Sequence, residues 1–134
     1  MTAADTSVAV AAFASWHESH VAARAALREG AVLVAHCALE TYSVLTRLPV
    51  PHRAPRELVH AFLEAQFREP PLVMHPNDQR RITARLVELG VDGGAVYDAL
   101  VALTAAGVGA TLLSCDQRAR TTYERCGVAV RMLA

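Results

Sequence analysis

Lysine is missing from the 134 residues, and all 13 basic side chains are arginine. That absence excludes the P-loop nucleotide hydrolases, which need a lysine on the phosphates. Haloacid-dehalogenase-type phosphatases and response-regulator receivers also place an aspartate after a first strand, but they too use a lysine. Cysteine is scarce: Cys37, Cys115 and Cys126 form no C-x-x-C pair and no zinc-finger spacing with histidine. Charge is thin at 19% of residues, under the roughly 25% of an average protein, which argues against disorder. Long apolar runs are lacking as well. The longest uncharged stretch, Ala99 to Cys115, falls short of the ~20 residues of a membrane span, and Gly107 and Gly109 interrupt it. An apolar segment from Val8 to Trp16 follows Asp5 with no basic region before it, a poor match to a signal peptide. The expectation is a soluble, cytoplasmic protein with reduced thiols.

What the chain does hold is apolar: 53% of residues are hydrophobic, enough for one domain over 1–134 with a core of its own. Short strand patterns alternate with helical ones. Strands are expected at Thr2–Thr6, Ala31–His36, Leu72–Met74, Thr111–Ser114 and Val128–Leu133. Helices are expected at Val8–Ala14, Glu18–Glu29, Ala38–Arg47, Asn77–Leu89, Ala95–Ala106 and Gln117–Cys126. Another helix begins near Pro55, after a loop from Pro49, with Leu58, Val59, Phe62, Leu63 and Phe67 as its apolar stripe. Gly30 and Gly90 suit helix C-caps, and Asn77 suits an N-cap. This βαβα rhythm predicts a parallel sheet covered on both faces. In such folds ligands sit beyond the carboxyl ends of the strands.

Four carboxylates stand alone in uncharged surroundings. Asp5 is the only charge in residues 1–17, Glu40 the only one in 30–46 and Asp98 the only one in 93–115; Asp116 then follows the strand Thr111–Ser114. On the helix around Asp98, Val96, Leu100, Leu103 and Gly107 make one face, while Gly94, Val101, Ala102 and Ala105 flank Asp98 on the other. That helix therefore reads as buried all round. A buried charge must be paired, metal-bound or neutralised, and no arginine lies in these segments. A single such aspartate is ordinarily an N-cap or half of a local ion pair; four together point to a metal site. Hard oxygen donors without soft partners select Mg²⁺ or Mn²⁺, ions that serve phosphate chemistry.

Asp5-Thr6-Ser7 after the first strand, Glu40 in ALETYSVLTRLP, Asp98 in GGAVYDALVALTA and Asp116 in TLLSCDQRA resemble the acidic motifs of PIN-domain ribonucleases. They are most similar to the VapC-type toxins of bacterial toxin–antitoxin pairs, in order over nearly the whole chain. The resemblance implies a three-layer α/β/α sandwich with a central, mainly parallel sheet. It further implies Mg²⁺- or Mn²⁺-dependent endoribonuclease activity, a homodimer and a VapB-type antitoxin partner. One departure is the first strand, Met1-Thr2-Ala3-Ala4, which lacks bulky aliphatics.

By role, Asp5, Glu40, Asp98 and Asp116 are assigned to the metal, with Glu40 or Asp98 alternatively orienting the attacking water. Thr6 and Ser114 are hydroxyls that could support a carboxylate or a phosphate, and equally caps or turns. If the metal neutralises that quartet, nine acids remain against 13 arginines. Arg118 and Arg120, next to Asp116, are then the phosphate candidates. The groups at Arg47, Arg53 and Arg56 and at Arg80, Arg81 and Arg85 read as solvated surface. His17 and His20 read as a solvated helix start, His36 as a strand-end histidine and Cys115 as packing. Gly93-Gly94 is either a plain turn or a point of close backbone approach. Two other readings stay open: a PIN-like module that binds RNA or a partner without cleaving, and a small-molecule metallophosphoesterase. The second is disfavoured because histidine ligands beside aspartate are missing.

Overall fold

Central position in the sheet goes to the smallest strand residues of the chain. In the computed structural model, which describes residues 1–134, β1 (Thr2–Ala4) pairs in parallel with β2 (Val32–Leu33) on one side and with β3 (Thr111–Ser114) on the other; β4 (Ala129–Met132) closes the order β2-β1-β3-β4. Eight helices connect them: α1 (Thr6–Phe13), α2 (His20–Arg28), α3 (Ala35–Arg47), α4 (Arg56–Gln66), α5 (Pro76–Arg80), α6 (Ile82–Leu89), α7 (Ala95–Ala106) and α8 (Gln117–Arg125). Successive residues Leu112, Leu113 and Ser114 of β3 are all buried. Alternate strand residues face opposite ways, so both faces of the sheet are covered. The fold is the expected α/β/α sandwich with a parallel sheet.

Alanine is the commonest residue of the core. Ala3 and Ala4 of β1, Ala9, Ala11 and Ala12 of α1, and Ala99, Ala102 and Ala105 of α7 are all 0% exposed. The missing aliphatics of the first strand thus have a physical reason: a strand flanked on both sides and roofed by alanine-faced helices has room for little more than a methyl. The apolar run from Val8 is explained in the same way, because it is the buried helix α1. A smaller cluster of Leu45, Ala54 and Val59 ties α3 to α4, with Phe13 and Phe62 edge-to-face at 5.2 Å.

Several boundaries differ from expectation. The strand expected at Ala31–His36 stops at Leu33, and α3 starts at Ala35, whose N–H donates to Leu72 O at 2.9 Å. The strand at Leu72–Met74 shrinks to a single parallel bridge from Leu72 to Val34. The helix expected from Asn77 to Leu89 is two helices, broken at Arg81 (φ −102°, ψ 7°). Its cap is His75, whose Nδ1 accepts from Asn77 N at 3.1 Å, with Pro76 in the first turn. Gly90 ends α6 at φ 67°, as a left-handed C-cap. On α4 only Val59 is buried, and Leu58 is 55% exposed. Helix α7 is buried at Ala99, Val101, Ala102, Thr104 and Ala105 and half-buried elsewhere, so the expected burial all round fails only at exposed Tyr97. No helix is long and apolar enough to cross a membrane.

Topology places the site. After β2 the chain returns to pair β3 with the other side of β1, creating a switch point between β1 and β3. Ala4 is in register with Leu113, and Asp5 N donates to Leu113 O at 3.2 Å. The carboxyl ends of the two strands therefore lie side by side. Because the core is packed with methyl groups at α1, enlarging one should cost stability. Ala12→Leu is expected to lower the unfolding free energy by about 1–3 kcal/mol, read by urea denaturation, whereas Val87→Leu at an 81% exposed position should leave it unchanged.

Candidate active site

Both strand ends at the switch point are acidic and both acids cap helices. Asp5 caps α1, its Oδ1 accepting from Val8 N at 3.2 Å and from the Ser7 hydroxyl. Asp116 caps α8, its Oδ1 accepting from Arg118 N at 2.9 Å. The ordinary capping role is therefore real for these two carboxylates. It does not exhaust them, because Asp5, Glu40, Asp98 and Asp116 line one pocket of about 40 Å³ together with Thr6, Ser7, His36, Cys37, Tyr97, Val101 and Tyr123. Four carboxylates from four separate segments thus converge. That volume exceeds the ~10–15 Å³ that one water requires.

The quartet is less buried than its uncharged surroundings suggest. Asp5 alone is buried, at 3% exposure; Asp98 and Asp116 are half-buried and Glu40 is exposed. Glu40 stands in the second turn of α3 because that helix begins earlier than expected.

Asp5 is the wired member. Its Oδ2 accepts from the Tyr123 hydroxyl at 2.8 Å. Ser7 Oγ donates to Asp5, accepts from Cys115 N at 2.7 Å and lies 3.3 Å from Ser114 Oγ, which in turn accepts from Asp116 N at 3.0 Å. One hydroxyl chain therefore links the two strand-end aspartates. Burial pushes the Asp5 carboxyl up, and hydrogen bonds from Ser114, Ser7, Tyr123 and Val8 oppose it. Tyr123 is pushed up by burial first, then by the charge of Asp5 beside it. Asp98 is raised by burial and by the like charges of Asp116, Glu40 and Asp5, with Arg118 opposing. The Cys37 thiol beneath the pocket is raised to about 12, chiefly by burial, and stays a packed, inert thiol.

A divalent cation suits this donor set. Asp98 is raised by burial and then by its neighbours' like charges, with only exposed Arg118 opposing, and a hard ion supplies the positive charge this cluster otherwise has little of. Two polar atoms of the pocket residues, Thr6 Oγ1 and His36 Nε2, are buried without a hydrogen-bond partner. In their present rotamers no three acidic, histidine or cysteine side chains form a closed metal cage. The carboxylates therefore define an acidic pocket, and ligation requires side-chain adjustment, which the exposure of Glu40 permits.

The remaining expected residues sort clearly. Arg118 is 95% exposed at its side chain, and its Nε lies 3.7 Å from Asp116 Oδ1 at the pocket rim. Arg120 Nε is engaged by Glu124 at 2.8 Å. Thr6 faces the pocket, whereas Ser114 is buried behind it in the hydroxyl chain. His17 accepts from Ser19 N, and His20 Nδ1 lies 2.8 Å from Ala11 O. Gly93 is a plain turn at φ 57° with no atom near its missing Cβ. Sequence reasoning missed Tyr123 and assigned Ser7 no role. Tyr123 had a readable signal: with Ala119 it forms the buried face of an otherwise polar α8.

These features define a class, an α/β/α protein with an acidic pocket of four carboxylates at the switch point of its sheet. Residues 3–125 match the PIN domain family. The chain is 52% identical over 133 residues to Ribonuclease VapC40 of Mycobacterium tuberculosis, covering 99% of both chains. It is 44% identical over 135 residues to Ribonuclease VapC27 of the same organism, covering 98% of this chain and 96% of that one. The chain belongs to the PIN-domain family, in its VapC-type branch.

The raised carboxyls carry a sign. A group whose folded pKa lies above its unfolded value contributes stability in acid and loses it as pH rises through the folded pKa. Asp98→Asn should therefore raise the melting temperature of metal-free protein in EDTA at neutral pH. The gain should vanish below about pH 4, where the unfolded carboxyl is protonated too. Equal melting temperatures for the two proteins at neutral pH would contradict the raised Asp98 carboxyl, whose causes are burial first and like charges second.

Proposed function

We propose that this protein is a Mg²⁺- or Mn²⁺-dependent endoribonuclease and the toxin of a toxin–antitoxin pair. The observation that carries the reading is the convergence of Asp5, Glu40, Asp98 and Asp116 on one pocket in a VapC-type PIN domain. Both relatives are named ribonucleases, and pure binding gains nothing from gathered like charges.

In this reading the four carboxylates hold the cation. When bound, it supplies positive charge against a phosphodiester and polarises the phosphorus toward attack. Asp5 is the fixed anchor: three donors hold its carboxylate in one orientation, so it presents charge without moving. Asp98 carries a raised carboxyl close to its neighbours' charges, which suits it to take a proton from the attacking water. Glu40, exposed at the mouth, closes the donor set from α3. Arg118 at the rim contacts the substrate phosphate, while Arg120 stays with Glu124. Thr6 Oγ1, buried and unpaired, donates to a group in the pocket. A VapB-type antitoxin, which the VapC names of the relatives support, completes the reading together with a homodimer and a cytoplasmic setting.

Two substitutions test it. Asp98→Asn should lower RNA cleavage in Mn²⁺ by ~10²–10⁴-fold and relieve growth arrest on expression, with the fold intact by circular dichroism. Arg118→Ala should weaken RNA binding and reduce the slope of log K against log salt by about 0.7, one single-strand phosphate contact. Near wild-type cleavage by Asp98→Asn would remove that residue from the site. Wild-type protein that binds RNA but never cuts it would leave a binding module instead.

A further inference from the structure

In the lining of the acidic pocket two aromatic rings stack parallel and offset. His36, in the first turn of α3, and Tyr97, in the first turn of α7, stack with centroids 5.6 Å apart and planes 8° apart. Both belong to the lining of the pocket that holds the four carboxylates. Tyr97 adjoins Asp98 in sequence, and His36 Nε2 lies 3.8 Å from Glu40 Oε2. The stack therefore bridges the two helices that deliver Glu40 and Asp98.

The pair is asymmetric. The His36 side chain is only 27% exposed, and its Nε2 is buried. Tyr97 remains 59% exposed although one ring face rests on His36. The tyrosine is braced by a flat, parallel partner in the pocket lining and keeps most of its surface in solvent. Offset parallel stacking is a favoured aromatic geometry, and an exposed tyrosine face can stack a nucleobase in the same way.

We propose that Tyr97, braced by His36, is a stacking platform for a nucleobase of the substrate, next to the phosphodiester held at the carboxylates. The inference rests on the ribonuclease reading and sharpens it. A base can lie on Tyr97 only when its own face is free, so the platform selects unpaired RNA: a loop, a bulge or a single strand. Stacking accepts any base, because every base has a π-face. Sequence preference at this position is then weak, whereas strandedness preference is strong. Tyr97 is a positioning residue: it holds the base flanking the cut and takes no part in bond breaking.

The test compares wild type with Tyr97→Phe, Tyr97→Leu and Tyr97→Ala, all folding-neutral by exposure, on single-stranded oligoribonucleotides and on the same strands annealed to their complements, in Mn²⁺. Tyr97→Leu and Tyr97→Ala should each raise KM about tenfold on single strands with kcat changed less than twofold, while Tyr97→Phe restores the wild-type KM. An abasic nucleotide placed beside the mapped cut should raise the wild-type KM by a similar factor and leave Tyr97→Ala unaffected. A wild type that cuts RNA while Tyr97→Ala keeps its KM would overturn the platform and leave the ribonuclease reading standing. So would cleavage of the annealed duplex as fast as the single strand. Wild-type protein that cuts no RNA would overturn both.

Discussion

A single carboxylate, Asp5, stands where sheet, helix and pocket meet. It follows the central strand, its N–H continues the β1–β3 ladder to Leu113, and its side chain caps α1. Its second oxygen reaches across to Tyr123 on α8. Burying an ionisable carboxyl is costly unless its oxygens are occupied, and here donors from Val8, Ser7 and Tyr123 occupy them. The hydroxyl chain through Ser7 and Ser114 then fixes the backbone turn at Cys115 and Asp116. The positions of two aspartates are thus one structural decision. Glu40 and Asp98 are added from helices that start at the same edge of the sheet.

That arrangement uses the same physics for folding and for function, with opposite signs. Helix-capping at Asp5 and Asp116 stabilises α1 and α8. Gathering Glu40 and Asp98 beside them raises the Asp98 carboxyl and gains no compensating arginine except exposed Arg118. A protein concerned only with stability would place arginines there, as it has 13 to use. The alanine-rich core serves the same end: small side chains on β1, α1 and α7 let three elements meet tightly beneath a pocket that stays open.

The quartet was legible in the sequence because isolation is a strong signal. A charge alone within an uncharged segment must be explained, and four such charges each fell after a strand or early in a helix. What misled was inferring their depth. An uncharged neighbourhood means a nearby core, but Asp98 stands in the first turn of α7 against an open pocket and Glu40 at an exposed position of α3, so Asp98 is half-buried and Glu40 exposed. The parallel sheet was legible from the alternation of elements. Strand lengths were not, because Val34 carries an apolar side chain whether it ends a strand or caps α3. The partner of Tyr123 and the His36–Tyr97 stack depend on contacts between segments far apart in the chain; the buried face of α8 marks Tyr123 as inward-facing, but no local pattern names what it meets. The break at Arg81 was equally hidden, since the apolar positions Ile82, Leu86 and Leu89 all lie in α6 and α5 (PNDQR) carries no stripe that an interruption could mark.

The central claim is that the four carboxylates form one cation site, and direct titration with Mn²⁺ tests it most sharply. Electron paramagnetic resonance reads the free ion as metal-free protein is added. The account predicts saturable loss of the free-ion signal with wild type. It predicts at least about tenfold weaker binding when any one of Asp5, Asp98 or Asp116 is replaced by asparagine, since each loss removes a charged donor. An undiminished free-ion signal with wild type, or binding that survives neutralisation of all four carboxylates together, would contradict it.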